Sequence, residues 1–86
     1  MYRLLFSPKA RRAFLELRIE DAQSVKAALD RLQENPRRRG VVALHDLRIA
    51  TYRFRVGWYR VLFDINDRDQ TLSVLDIRRR NERTYR

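Results

Sequence analysis

No cysteine occurs in the chain, which removes disulfides and thiolate metal sites at once. A disulfide-stapled secreted mini-protein is therefore excluded, and a reducing cytoplasm is the expected location. Apolar runs extend only a few residues, far short of the roughly 20 needed to cross a bilayer, so no membrane partner is expected. The opening "MYRLLFSPK" interrupts its apolar residues with charge too early for a secretory signal. There is one histidine, His45, with no second histidine or cysteine to complete a ligand set, and no metal site is expected. Glycine and proline occur twice each, so each one marks a boundary.

What the chain has in excess is arginine. Of its 20 basic residues 18 are arginine, and against 11 acidic residues they give a net charge of +9. A hydrophobic content of 44% over 86 residues is that of a folded domain with a small core, so the charge does not signal disorder. It signals a polyanionic partner, and guanidinium in particular binds phosphate bidentately and stacks on bases. Residues 1–36 carry a net +2 and residues 37–86 a net +7, so the electrostatic footprint lies in the second half.

Local signals divide the chain into seven elements. "YRLLF" (Tyr2 to Phe6) reads as a strand, and "SPK" as a helix start with Ser7 as N-cap and Pro8 at the first helical position. Ala10, Ala13, Phe14 and Leu17 then recur at helical spacing. A second helix from about Asp21 places Ala22, Val25, Ala28, Leu29 and Leu32 on one face and ends by Asn35, before Pro36. "PRRRG" follows as a basic turn, then "VVALHDL" as a short extended segment. Tyr52 to Val56, Tyr59 to Ile65 and Thr71 to Ile77 read as strands joined by "GW" and "NDRDQ". The expected fold is α+β over residues 1–86: an N-terminal strand, an αα-hairpin, then a C-terminal antiparallel sheet packed against the two helices.

Gly57-Trp58 suits a two-residue turn with glycine first, which fixes a register. Val56 pairs with Tyr59, Arg55 with Arg60, Phe54 with Val61 and Arg53 with Leu62. Tyr52, Phe54, Val56, Tyr59, Val61, Phe63 and Ile65 then make one apolar face, while Arg53, Arg55, Arg60 and Leu62 share the other. Like charges directly opposed across a strand pair are destabilising unless something neutralises them, and fixed guanidinium groups on rigid strands suit a phosphate backbone. Beyond the last strand "DIRRRNERTY" delivers Arg78, Arg79 and Arg80, with Tyr85 five residues further as a candidate stacking platform for an unpaired base. Arg37, Arg38 and Arg39 of the basic turn, with Arg78, are candidate RNA contacts; charge runs of this kind are also commonly solvated loops.

Together "SPKA", "LQENPR", "YRFRVGWYRVLF" and "IRRRNERTY" resemble the RelE/ParE superfamily of toxins from bacterial type II toxin–antitoxin pairs, nearly end to end. The resemblance is nearest to the RelE branch. It implies a single RelE-like domain that cuts messenger RNA in the ribosomal decoding site, with no cofactor and no metal. Attack of a ribose 2′-hydroxyl on the adjacent phosphorus would expel the 5′-oxygen. The site residues it implies are Arg53, Arg55, Arg60, Arg80 and Tyr85, with Arg79 as an alternate for Arg80. Arginine does not act as a base near neutral pH, and Glu82 is the nearest substitute. The resemblance further implies a cognate antitoxin and a toxin–antitoxin hetero-oligomer. Two other readings remain open on sequence: a ParE-like inhibitor of DNA gyrase, and a basic domain that binds RNA without cutting it.

Overall fold

A computed structural model describes residues 1–45 and 50–79 of the chain. Its elements are β1 (Arg3–Phe6), α1 (Pro8–Leu15), α2 (Ile19–Glu34), β2 (Val41–Ala43), β3 (Tyr52–Val56), β4 (Tyr59–Asn66) and β5 (Thr71–Arg79). The α+β class and the element order follow the sequence reading. The start of α1 is fixed as its residues demand: Ser7 Oγ accepts the Ala10 N–H at 3.0 Å, and Pro8 occupies the first turn. The Ser7 hydroxyl also donates to the Leu75 carbonyl at 2.8 Å, so one side chain caps the helix and ties it to β5.

The sheet differs from the expected one in its topology. Its order is β1-β5-β4-β3-β2, and β1 joins β5 in parallel, with Arg3 opposite Thr71 and Phe6 opposite Val74. The sheet is therefore mixed, not antiparallel throughout. The chain runs from β1 through α1, α2, β2, β3 and β4 before it reaches β5, so no hairpin forces the two strands to be antiparallel, and β1 covers a strand edge that would otherwise be open along β5.

Packing follows the alternation of the strands. Leu4 and Phe6, Phe54, Val61 and Phe63, and Leu72, Val74 and Ile77 face Ala10, Val25, Leu29 and Leu32 of the helices. Phe63, Leu29, Leu32 and Leu72 are almost wholly buried. One irregularity breaks the alternation. Val61 pairs with Ile77 and Leu62 with Asp76, but Phe63 pairs with Val74, which leaves Leu75 as an extra residue in a β-bulge. The bulge keeps Val74 and Ile77 on the core face although they are three residues apart, and it sits where Ser7 reaches the Leu75 carbonyl. No described helix is long and apolar enough to cross a membrane.

Candidate nucleic-acid interface

The β3–β4 hairpin has the register its turn implies: Val56 opposite Tyr59, Arg55 opposite Arg60, Phe54 opposite Val61, Arg53 opposite Leu62. Gly57 has φ +57°, and Trp58 is not in the left-handed region, so the glycine-first turn accounts for the connection. The third strand extends the pattern. Arg60 pairs with Arg78 of β5, so Arg55, Arg60 and Arg78 form one row across β3, β4 and β5, on the face away from the helices. Neighbouring strands lie about 4.8 Å apart, so three guanidinium stems rise from roughly 10 Å of rigid sheet. The next row is Arg53, Leu62 and Asp76. Beside Arg53 and Arg55 the β2–β3 edge forms a shallow concavity of about 290 Å³, walled also by Gly40 and Val42.

Asp76 was not singled out by the sequence reading. Its side chain is 9% exposed, its Oδ1 accepts the Ile77 N–H at 2.8 Å, and its Oδ2 accepts Arg78 Nε at 2.7 Å and lies 3.4 Å from Lys9 Nζ. Burial disfavours its charged form, but the Arg78 and Ile77 hydrogen bonds and the Lys9 and Arg78 charges outweigh it. The carboxyl is held below its ordinary range. One buried carboxylate thus orients Arg78, half-exposed at the edge of the arginine row. The signal was available: Asp76 and Arg78 are two residues apart on a strand and so share a face. On the same face Asp64 accepts both the N–H (2.7 Å) and the hydroxyl of Thr51, fixing the chain entering β3.

The other candidates are placed elsewhere. Arg37 makes a bidentate pair with Asp67, both contacts at 2.9 Å, and lies over the Tyr52 ring on the helix side of the sheet. The Asp67 bond raises the Arg37 pKa further, and Arg37 together with Tyr2 lowers that of Asp67. Arg38 lies over the Phe54 ring, 5.9 Å from its centroid, also on the helix side. Arg39 is exposed, as is His45. Arg79 pairs with Tyr59 and so points to the face opposite Arg78. Arg80, Glu82 and Tyr85 lie outside the described residues.

The family model for the ParE toxin of type II toxin–antitoxin systems (parDE) matches residues 4–84. The chain belongs to the ParE toxin family. Its place in the wider RelE/ParE superfamily is seen in the solved structures it is similar to. The RelBE2 toxin–antitoxin complex of Mycobacterium tuberculosis shares 29% identity over 92% of this chain and 98% of that one, with a TM-score of 0.78. An archaeal RelE–RelB complex from Pyrococcus horikoshii shares 25% over 94% and 97%, at 0.80. The isolated Escherichia coli RelE toxin, at 19% identity over 95% and 87%, has the same fold, with a TM-score of 0.82. Comparison with functionally curated proteins gave no match. The toxin thus carries its arginine row on the face of a RelE-like sheet opposite α1 and α2.

Proposed function

We propose that this toxin is a ribosome-dependent messenger-RNA endonuclease. The observation that carries the reading is the row Arg55–Arg60–Arg78 with Arg53 beside it, held on three adjacent strands on the face opposite α1 and α2. Such an array suits an RNA phosphate in transit to a phosphorane, because preorganised cations stabilise charge that develops in the transition state. In the reaction the ribose 2′-oxygen bonds to the adjacent phosphorus, its proton leaves to a base, and the bond to the 5′-oxygen breaks with protonation of that oxygen. A 2′,3′-cyclic phosphate and a 5′-hydroxyl result. Arg53 and Arg60 take the non-bridging oxygens. Arg80 is assigned to the leaving oxygen and Tyr85 to stacking a base so that the attack is in line; Arg79, the alternate to Arg80 on sequence, is on the opposite face of the sheet.

The two carboxylates that the strands place on this face are both engaged, Asp64 by Thr51 and Asp76 by Arg78, Ile77 and Lys9. Asp76 is ionised at neutral pH, but its lowered pKa makes it a weak base. Glu82 stays the candidate base. Electrostatic stabilisation and orientation carry the larger share of the catalysis, and the RNA target is supplied in the cytoplasm by the ribosomal decoding site.

A cognate antitoxin is the expected protein partner, forming a hetero-oligomer as in the RelE–RelB complexes to which the chain is similar. The match to the ParE model favours a second reading, inhibition of DNA gyrase, which requires no cleaving residues. The double variant Arg53→Ala/Arg60→Ala separates the two. Removing one such stabilising donor costs on the order of 10²-fold in rate, so the endonuclease reading expects cleavage of ribosome-bound messenger to disappear. Toxicity that survives both changes, with gyrase supercoiling still inhibited, refutes it in favour of the second reading.

A further inference from the structure

Trp58, the sole tryptophan of the chain, is 57% exposed at the tip of the β3–β4 hairpin. A large aromatic left in water contributes nothing to the core, and the turn itself requires only the glycine before it. The tip is open, since a Cβ built on Gly57 would meet no atom within 4 Å. It is also fastened: the Tyr59 hydroxyl donates to Asp21 Oδ2 at 3.0 Å, tying the root of the turn to the first turn of α2. Positive charge is concentrated around it. The row Arg55–Arg60–Arg78 lies one residue pair below the turn. Arg79 is in register with Tyr59, and both Arg79 and Arg18 act electrostatically on the Tyr59 hydroxyl.

We infer that Trp58 is a base-stacking platform. It takes an unpaired nucleobase of a single RNA strand whose phosphates rest on Arg55, Arg60 and Arg78. An exposed indole at a fastened hairpin tip, with a row of strand-borne guanidinium groups beside it, supplies the two things single-stranded recognition uses, an aromatic face for the base and fixed cations for the backbone. This rests on the RNA-binding reading above. It adds a contact at the opposite end of the hairpin from the β4–β5 turn, on a residue the cleavage chemistry does not require. A protein ligand is the competing occupant, and the charge around the tip favours the nucleic acid.

The test uses the tryptophan as its own probe. A ten-residue uridine RNA and inorganic polyphosphate of similar charge are titrated separately into the whole toxin, and Trp58 emission is followed. Stacking quenches indole fluorescence, so emission falls with the RNA and stays constant with polyphosphate. Affinities are read from anisotropy of end-labelled RNA and from competition by polyphosphate. Trp58→Ala weakens RNA binding about tenfold, since one stacked base is worth about 1–3 kcal/mol, and leaves polyphosphate binding as it was. Trp58→Phe restores most of the RNA affinity. RNA that binds without changing the emission, or equal losses for both polyanions, overturns the assignment. RNA affinity unchanged in Trp58→Ala sinks the Trp58 platform and leaves the arginine face standing. No RNA binding by the unmodified toxin sinks both, and quenching by purified antitoxin but not by RNA assigns the tip to a protein contact.

Discussion

Replacing Asp76 with asparagine isolates a buried carboxylate on the arginine face. Asparagine keeps the shape and an acceptor for the Ile77 N–H, but loses the charge-assisted bond to Arg78 Nε at 2.7 Å and the attraction to Lys9 at 3.4 Å. Hydrogen bonds to charged groups contribute about 1.5–3 kcal/mol. The larger cost of orphaning a fully buried ion does not apply, because the Arg78 and Lys9 side chains are 48% and 64% exposed and rehydrate. Relief from burying the carboxylate offsets part of the loss, so Asp76→Asn should destabilise the toxin by about 1–2 kcal/mol at pH 7. In a domain of this size that is a fall in Tm of roughly 4–15 °C. The pH dependence has a definite sign. The folded pKa of Asp76 is lowered from 3.8, so its contribution is complete above the unfolded value and lost as pH falls through the folded one. Thermal unfolding of both proteins between pH 7 and pH 2 checks this. The gap should be full at pH 5 and above, and should close below about pH 4. A variant as stable as the parent at pH 7, or a gap that persists undiminished at pH 2, would refute the electrostatic account of Asp76.

Three further outcomes follow from the same geometry. Ser7→Ala removes the α1 cap and the bond to the Leu75 carbonyl, and should cost about 1–2 kcal/mol by urea denaturation. Gly57→Ala meets no steric obstacle but forces alanine to φ +57°, for a loss of about 1–2 kcal/mol with the fold intact by circular dichroism. Phe63→Ala empties the centre of the core, where Phe63 is fully buried, and should cost about 3–5 kcal/mol, enough to leave much of the chain unfolded at 37 °C in the same denaturation assay.

The β3–β4 hairpin was legible because a single glycine fixes its turn, and a two-residue turn fixes the pairing of every residue that follows. That register alone puts Arg53, Arg55 and Arg60 on one face. The helices were legible from Ser7-Pro8 and from the spacing of Val25, Ala28, Leu29 and Leu32. The parallel partnership of β1 with β5 was not, because those strands lie more than 60 residues apart and no local turn dictates how they meet. Nor was the bulge at Leu75: strict alternation would set Val74 and Ile77 on opposite faces, and the structure sets both on the core face. Arg78 was among the candidate RNA contacts by its charge, but its place as a strand residue opposite Arg60 emerged from the structure. The Arg37–Asp67 pair joins residues 30 apart that are separately ordinary in sequence. Charge count alone had placed Arg37 with the RNA contacts, whereas its guanidinium is engaged on the helix side.

The proposed endonuclease holds the scissile phosphate of a ribosome-bound messenger on its arginine face. Primer-extension mapping of transcripts from translating extracts, with the toxin and with Arg53→Ala/Arg60→Ala, tests it most directly. Cuts are expected at a fixed position within codons, present only when the message is being translated and absent with the double variant. Intact transcripts under arrested growth, or cuts that the double variant reproduces, would contradict it.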